Sequence, residues 1–206
     1  MRRRTFDLLA SAAGGVLALV LIAGGSLLLW AHYYIADQVH NQLAAQEVYF
    51  PPKAAFAHPK PGTEITPSMI PVVSQYAGQQ LLTGAQAEVY ADHFIAVHLS
   101  EMPYRGVYAT ISAQVQAHPN DAALKSLQQT SFEGTMLRAT LLEAYAFGTV
   151  GSIAGWAAVV CFAGAGLLLI LAGFGIVHAR RVGPEVELLR RNQSTGTGEP
   201  PLTKAV

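Results

Sequence analysis

The chain has 206 residues, 51% of them hydrophobic and 13% charged, and its 13 basic and 13 acidic side chains cancel to a formal net charge of zero. A single cysteine excludes an intrachain disulfide, so any folded part must hold by packing alone. The zero hides a segregation that excludes a basic nucleic-acid surface: the residues before Leu8 and after Val177 each sum to +2, while His32 to Glu143 sums to −4.

Arg2, Arg3 and Arg4 precede a run of 24 uncharged residues, Leu8 to Ala31. As a helix rising 1.5 Å per residue this run is about 36 Å long, enough for a hydrocarbon core of about 30 Å. A secretory leader has an apolar region of about 7 to 15 residues and a small-x-small cleavage site. Here the run is longer and closes on Leu29-Trp30-Ala31-His32-Tyr33-Tyr34, so it reads as an uncleaved anchor. Trp30, Tyr33 and Tyr34 suit the outer headgroup layer and set its depth.

Ile35, Val39, Leu43 and Ala44 recur at helical spacing, which predicts that the helix continues toward Val48 before Tyr49-Phe50-Pro51-Pro52 stops it. Residues 51–71 hold six of the eleven prolines and predict an irregular crossing loop without a helix. Pro71 suits the first turn of a short helix over Val72 to Leu82. Thr83 and Gln86 have capping-box spacing and predict a helix over about Ala85 to Glu101, with Ala87, Tyr90, Ala91, Phe94, Ile95, Val97 and His98 on its apolar face.

Pro103 ends that helix and opens a segment in which Tyr104, Val107, Tyr108, Ile111 and Val115 form a narrow apolar stripe. Pro119-Asn120-Asp121 supplies a turn and capping residues, after which Leu124, Leu127, Phe132, Met136, Leu137 and Leu141 carry a helical period with no strong breaker before the second uncharged run. That run, Ala144 to Val177, has 34 residues. It would be about 51 Å long as a helix, so its outer part, with Leu137, Leu141, Tyr145 and Phe147, is expected to protrude and join the outer domain stiffly. Arg180 and Arg181 follow it. Glu185 to Arg191 is expected to form a short polar helix, and Asn192 to Val206 is expected to be disordered. Arginines at one end of each run predict a hairpin with both termini in the cytoplasm.

Small residues mark candidate helix-packing faces: Gly14 and Ala18 on the first span, and Gly151, Gly155 and Ala163 on the second. These faces suit contact between the two spans, or with another membrane protein or a second copy of the chain. His93 and His98, five apart, diverge on a helix, and HExxH is absent, so no metal site, cofactor or catalytic residue is expected. Glu88 and Asp92 read as a solvated face, and Cys161 as a packing residue within the span. Tyr76, Tyr90, Phe94, His98, Tyr104 and Tyr108 are the candidate lining of an outer-domain pocket or, as ordinary aromatics, its core.

The segments Ala36-Asp37-Gln38-Val39-His40-Asn41-Gln42-Leu43-Ala44-Ala45-Gln46, Phe50-Pro51-Pro52, Gln75-Tyr76-Ala77-Gly78-Gln79, Tyr90 to Leu99 and Ala144-Tyr145-Ala146-Phe147, with the Arg180-Arg181 flank, resemble a family of uncharacterised actinobacterial two-span membrane proteins. The resemblance extends to about residue 181 and implies no particular activity. Such proteins often carry the label aromatic ring-opening dioxygenase. A non-haem iron site of that kind needs convergent His and carboxylate ligands, which this sequence does not supply.

The expected architecture is all-α: residues 1–7 cytoplasmic, 8–31 the first transmembrane helix, 32–143 a small, mainly helical extracytoplasmic domain, 144–177 the second transmembrane helix, and 178–206 a cytoplasmic tail. The expected role is a non-enzymatic accessory or scaffold protein of the plasma membrane. Its partners would be the lipid bilayer and an envelope or membrane-complex component, with no nucleic acid. The alternatives are an outer ligand-binding sensor signalling through the second span and, behind it, an envelope enzyme.

Overall fold

A computed structural model describes residues 3–57, 59 and 65–181. The tail beyond Arg181, with the expected polar helix and disordered end, lies outside the described residues, as does part of the proline-rich crossing. Among the described residues every regular element is helical, and the one extended pairing is an isolated antiparallel bridge between Tyr49 and Gln80. The order is α1 (Arg3–Ala44), α2 (Lys53–Ala57), α3 (Ile70–Val73), α4 (Gly84–Tyr90), α5 (Ala96–Glu101), α6 (Tyr108–Ala117) and α7 (Ala122–Arg181). Helices α1 and α7 are each long and apolar enough to cross a membrane. The chain divides into two compact units, one of residues 1–23 with 161–206, the other of residues 24–160.

The first unit is an antiparallel pair formed by the start of α1 and the end of α7. Its seam is made of small residues. A methyl group on Gly14 would stand 3.9 Å from both the Ala172 Cβ and the Leu168 carbonyl oxygen, one on Gly164 3.4 Å from Leu21 Cδ1, and one on Gly175 would collide with Ser11 Oγ. Ala18 and Ala165 are buried in this seam, whereas Ala163 is exposed and Gly164 and Ala165 take the place expected for it. The physical reason is periodicity. Buried positions in this part of α7 fall at Gly151, Ala154, Ala158, Ala165 and Ala179, with Ala172 half-buried between the last two, so most lie seven or fourteen residues apart and a residue twelve after Gly151 falls off the stripe. The reverse face is apolar and uncovered, with Leu19 65%, Val20 60%, Ile170 59% and Phe174 69% exposed.

The second unit holds a conventional hydrophobic core. Val39 and Leu43 of α1, Phe50, Phe56, Ile65, Met69, Val73, Leu81, Ala87, Val89, Ala91, Phe94 and Leu141 of α7 form one buried cluster. Helix α1 ends at Ala44, four residues short of Val48. The Gln80 amide donates to the Ala44 carbonyl and Glu47 turns the chain with a left-handed φ of 52°. The proline-rich segment is not wholly irregular, because five residues between Pro52 and Pro59 form α2, which buries Phe56. Both prolines before it fall ahead of the positions where a backbone donor is required. Helix α3 is also shorter than expected, passing into a 3-10 turn over Ser74–Tyr76 and ending at Gly78, whose φ is +73°.

Thr83 forms the capping box with Gln86: its hydroxyl accepts from the Gln86 amide at 3.2 Å, and Gln86 Oε1 accepts from the amides of Leu82 and Thr83 at 2.8 and 3.1 Å. The helix thus started is broken by a π turn over Ala91–Ile95 before it resumes as α5. The wider turn carries Asp92, which is not simply solvated: Arg138 Nη2 of α7 donates to its Oδ1 at 2.6 Å. Tyr104, Arg105 and Gly106 then share left-handed backbone angles. Only glycine fits at 106, since a Cβ there would strike the Leu99 carbonyl, and Ser131 Oγ donates to the Gly106 carbonyl at 2.7 Å in a fully buried contact. Asp121 caps α7 through bonds from the Ala123 and Leu124 amides at 2.9 and 3.0 Å. From there the helix runs unbroken for 60 residues, about 90 Å at 1.5 Å per residue.

Candidate functional site

The aromatic residues singled out from sequence fall into two groups. Tyr76, Phe50, Tyr90, Phe94 and His98 make a continuous chain of ring contacts, with centroids 4.4 to 5.2 Å apart, beside or within the core of the second unit. Tyr104 and Tyr108 do not join them. Both are exposed, and Tyr108 meets Phe132 of α7 at 5.8 Å, because the left-handed turn at 104–106 leaves Ile111 as the buried residue of that stripe. These rings fill space rather than enclose it. Among the described residues no group of three His, Cys, Asp or Glu side chains, with His93 and His98 among those searched, is placed to hold a metal ion.

The space lies elsewhere in the same unit. A half-open groove of about 560 Å³ runs between α1, the start of α4 and the stretch of α7 from Tyr145 to Ser152. Its formation follows from glycine. A Cβ on Gly84 would stand 3.0 Å from the Ala144 carbonyl oxygen and 3.2 Å from Tyr145 Cα, and one on Gly148 would stand 3.3 Å from Gly84 Cα, so the first turn of α4 rests directly on the α7 backbone. Farther along α7, Gly151 and Gly155 admit the side chains of Ile35 and His32 from α1. Between these two close approaches the helices leave a trough, with His32, Ala36, Asp37 and His40 along one wall and Tyr145, Thr149 and Ser152 along the other.

Three side chains of the lining bond to backbone carbonyls. His32 Nδ1 lies 2.8 Å from the Gly151 carbonyl oxygen. A carbonyl only accepts, so this bond places a ring proton on Nδ1. Thr149 Oγ1 donates to the Tyr145 carbonyl at 3.0 Å, and Ser152 Oγ donates to the Gly148 carbonyl at 3.0 Å. Each hydroxyl thus bonds to its own helix, and the groove is lined besides by Tyr145, His40 and the first residues of α4, which can donate. Asp37 adds a carboxylate, and no Lys or Arg lines the groove.

None of Asp37, His40, Tyr145, Thr149 or Ser152 stood out in the sequence as a site residue. A signal was present: Tyr145, Thr149 and Ser152 are spaced by four and three, one polar stripe on a helix inside an otherwise apolar run. Comparison of the chain with protein-family models, curated proteins and solved structures returns no match. The resemblance described above therefore stands on its quoted segments alone.

Proposed function

We propose that the chain is a two-span plasma-membrane protein with both termini in the cytoplasm, whose outer helical domain binds or positions another envelope or membrane-complex component without itself catalysing a reaction. The observation that carries this reading is the uncovered apolar surface of α1 and α7, which in water would leave Leu19, Leu27, Ile170 and Phe174 unburied at roughly 1.5 to 3 kcal/mol each. Lipid removes that cost. The polar ends agree in register. Asp7 and His178 approach to 3.9 Å, which brings Arg4 beside Arg180 and Arg181 at one end of the pair.

At the other end both tryptophans of the chain, Trp30 and Trp156, are exposed, and the His32 contact with Gly155 holds them at nearly one height. Such a pair suits the outer headgroup layer. The hydrocarbon part of α7 would then be about 157–177, with the part from Ala122 to Trp156 outside it.

The test replaces Cys161 with alanine and introduces single cysteines at two exposed positions, Lys125→Cys and Thr5→Cys. In intact cells an impermeant maleimide should label the first and should reach the second only after permeabilisation. The reverse pattern, or labelling of both, overturns the topology. The scaffold role is tested by crosslinking from Lys125 followed by native purification, where a chain that always migrates alone would refute it. The groove between α1, α4 and α7 favours the second reading, a ligand-binding outer domain whose occupancy is felt directly by α7.

A further inference from the structure

We infer that the outward face of α7 in the second unit is an interface for a second copy of this chain, laid parallel to the first about a twofold axis along the membrane normal. The inference rests on the membrane reading proposed above and adds a partner to it, the chain itself.

The face is a stripe with a 3.5-residue period. Phe132, Met136, Ala139, Glu143, Ala146, Val150 and Ile153 stand four and three residues apart by turns, and every one of them is exposed. Leu141 and Gly148, which pack within the chain, fall on the opposite side of the helix. Glu133, Thr135, Thr140 and Thr149 flank the stripe, so an apolar centre has a polar margin, as a specific interface does.

Lipid does not cover this face. Phe132, Met136, Val150 and Ile153 are 45%, 48%, 54% and 63% exposed, and all precede Trp156, outside the stretch assigned to hydrocarbon. Water penalises such a surface, and a contiguous one marks an interaction site.

Three observations name the occupant. Two parallel helices supercoil when their apolar stripes repeat every 3.5 residues, and here the repeat is sustained over three heptads, about 32 Å of helix. A helix that covers the stripe must also leave the bilayer beside α7 with an apolar face of the same length. A copy inserted in the same sense does so, with each level of the stripe opposite itself. Ala157 and Val160, the latter 70% exposed, carry the same spacing on to the membrane boundary. The third observation is area: the stripe with Phe147 beside it offers on the order of 600 Å² per copy, so a pair buries about 1,200 Å², the lower end of specific stable interfaces.

Glu143, the one charged residue of the stripe, separates a copy from a partner of other chemistry. In the parallel pair it faces its own counterpart, an arrangement that fixes register at a cost in stability. Removing its charge must therefore tighten a pair of copies, whereas it would weaken the hold on a basic partner.

The experiment uses the full chain with Cys161→Ala, in isolated membranes of expressing cells, where all copies are inserted in one sense. A chain stripped from these membranes by alkaline carbonate overturns the membrane reading and the pairing with it. A chain that stays leaves the pairing as the only question. Ala139→Cys and Ala146→Cys, singly and after mild oxidation, should give a disulfide-linked dimer on a non-reducing gel. Ser152→Cys, exposed on the other side of α7, should remain a monomer. In vesicles of phosphatidylcholine, energy transfer between labelled copies diluted with lipid should show Glu143→Gln binding about tenfold tighter, one decade in dissociation constant. Val150→Asp, an exposed substitution, should weaken the pair by at least as much while the thermal transition stays within a few degrees. Monomers from both alanine positions, equal crosslinking at Ser152→Cys, or an association that Glu143→Gln weakens or leaves unchanged would overturn the proposal.

Discussion

The two units solve the packing problem with opposite residues. Between α1 and α7 in the first unit the seam is Ser11, Gly14, Ala18, Gly164, Ala165 and Gly175, and the large side chains point away from it. In the core of the second unit Met69, Leu81, Val73 and Leu141 are fully or almost fully buried, and its surface carries Gln42, Lys125 and Glu133 as well as exposed apolar residues such as Leu27, Ile153 and Val160. On the membrane reading proposed above, the contrast is one of solvent. Where water surrounds a fold, stability grows with the apolar area withdrawn from it, so large residues go inside. Where lipid is the solvent, a leucine gains little by turning inward, and close backbone contact supplies the attraction that remains.

Substitutions sharpen or break that contrast. The largest effect is expected from Leu141→Ala, which empties a site 1% exposed in the buried core of the second unit. A loss of roughly 2 to 5 kcal/mol should appear in denaturant unfolding of the outer unit. Ala18→Leu, a change toward greater hydrophobicity, should also destabilise, by about 1 to 3 kcal/mol, because the added methyl groups must force α1 and α7 apart. If Ala18→Leu stabilised the protein, the small-residue account of the seam would fail.

Smaller effects follow at the helix ends and surface. Thr83→Ala removes one half of the capping box and should cost about 1 kcal/mol, measurable as a lower Tm of the outer unit. Separating Asp92 from Arg138 by Asp92→Asn should cost at most about 1 kcal/mol, since both side chains are more than a third exposed to solvent or nearly so. The smallest effect is expected from Leu19→Ala, 65% exposed on the first unit. It should change folding stability in lipid by no more than about 0.5 kcal/mol. A loss comparable to that of Leu141→Ala would show that water or protein, not lipid, covers this face.

Much of the fold was legible where a local rule has no competitor. The Thr83 and Gln86 spacing, the Asp121 cap and the unbroken period from Leu124 onward all act within a few residues, and each appears as expected. The π turn at Ala91–Ile95 was not legible, because nothing in those five residues forbids an ordinary helix. Its site coincides with the Asp92 to Arg138 bond, a contact across 46 residues. The turn at Tyr104 was hidden for a similar reason: Gly106 announces a bend, but the left-handed angles at Tyr104 and Arg105 depend on the buried bond from Ser131.

By itself the sequence determined the two long apolar helices, the end of each that bears arginine, and the small-residue stripes, because hydrophobic run length, charge placement and helical period are properties of neighbouring residues. Only the tertiary structure decided which face of α7 is buried, that the outer aromatics fill a core instead of lining a pocket, and that a groove exists at all. That groove is built from residues 32–40, 82–85 and 145–152. Its walls meet because Gly84 and Gly148 let two backbones touch, and a contact between segments so far apart along the chain depends on every packing choice made between them.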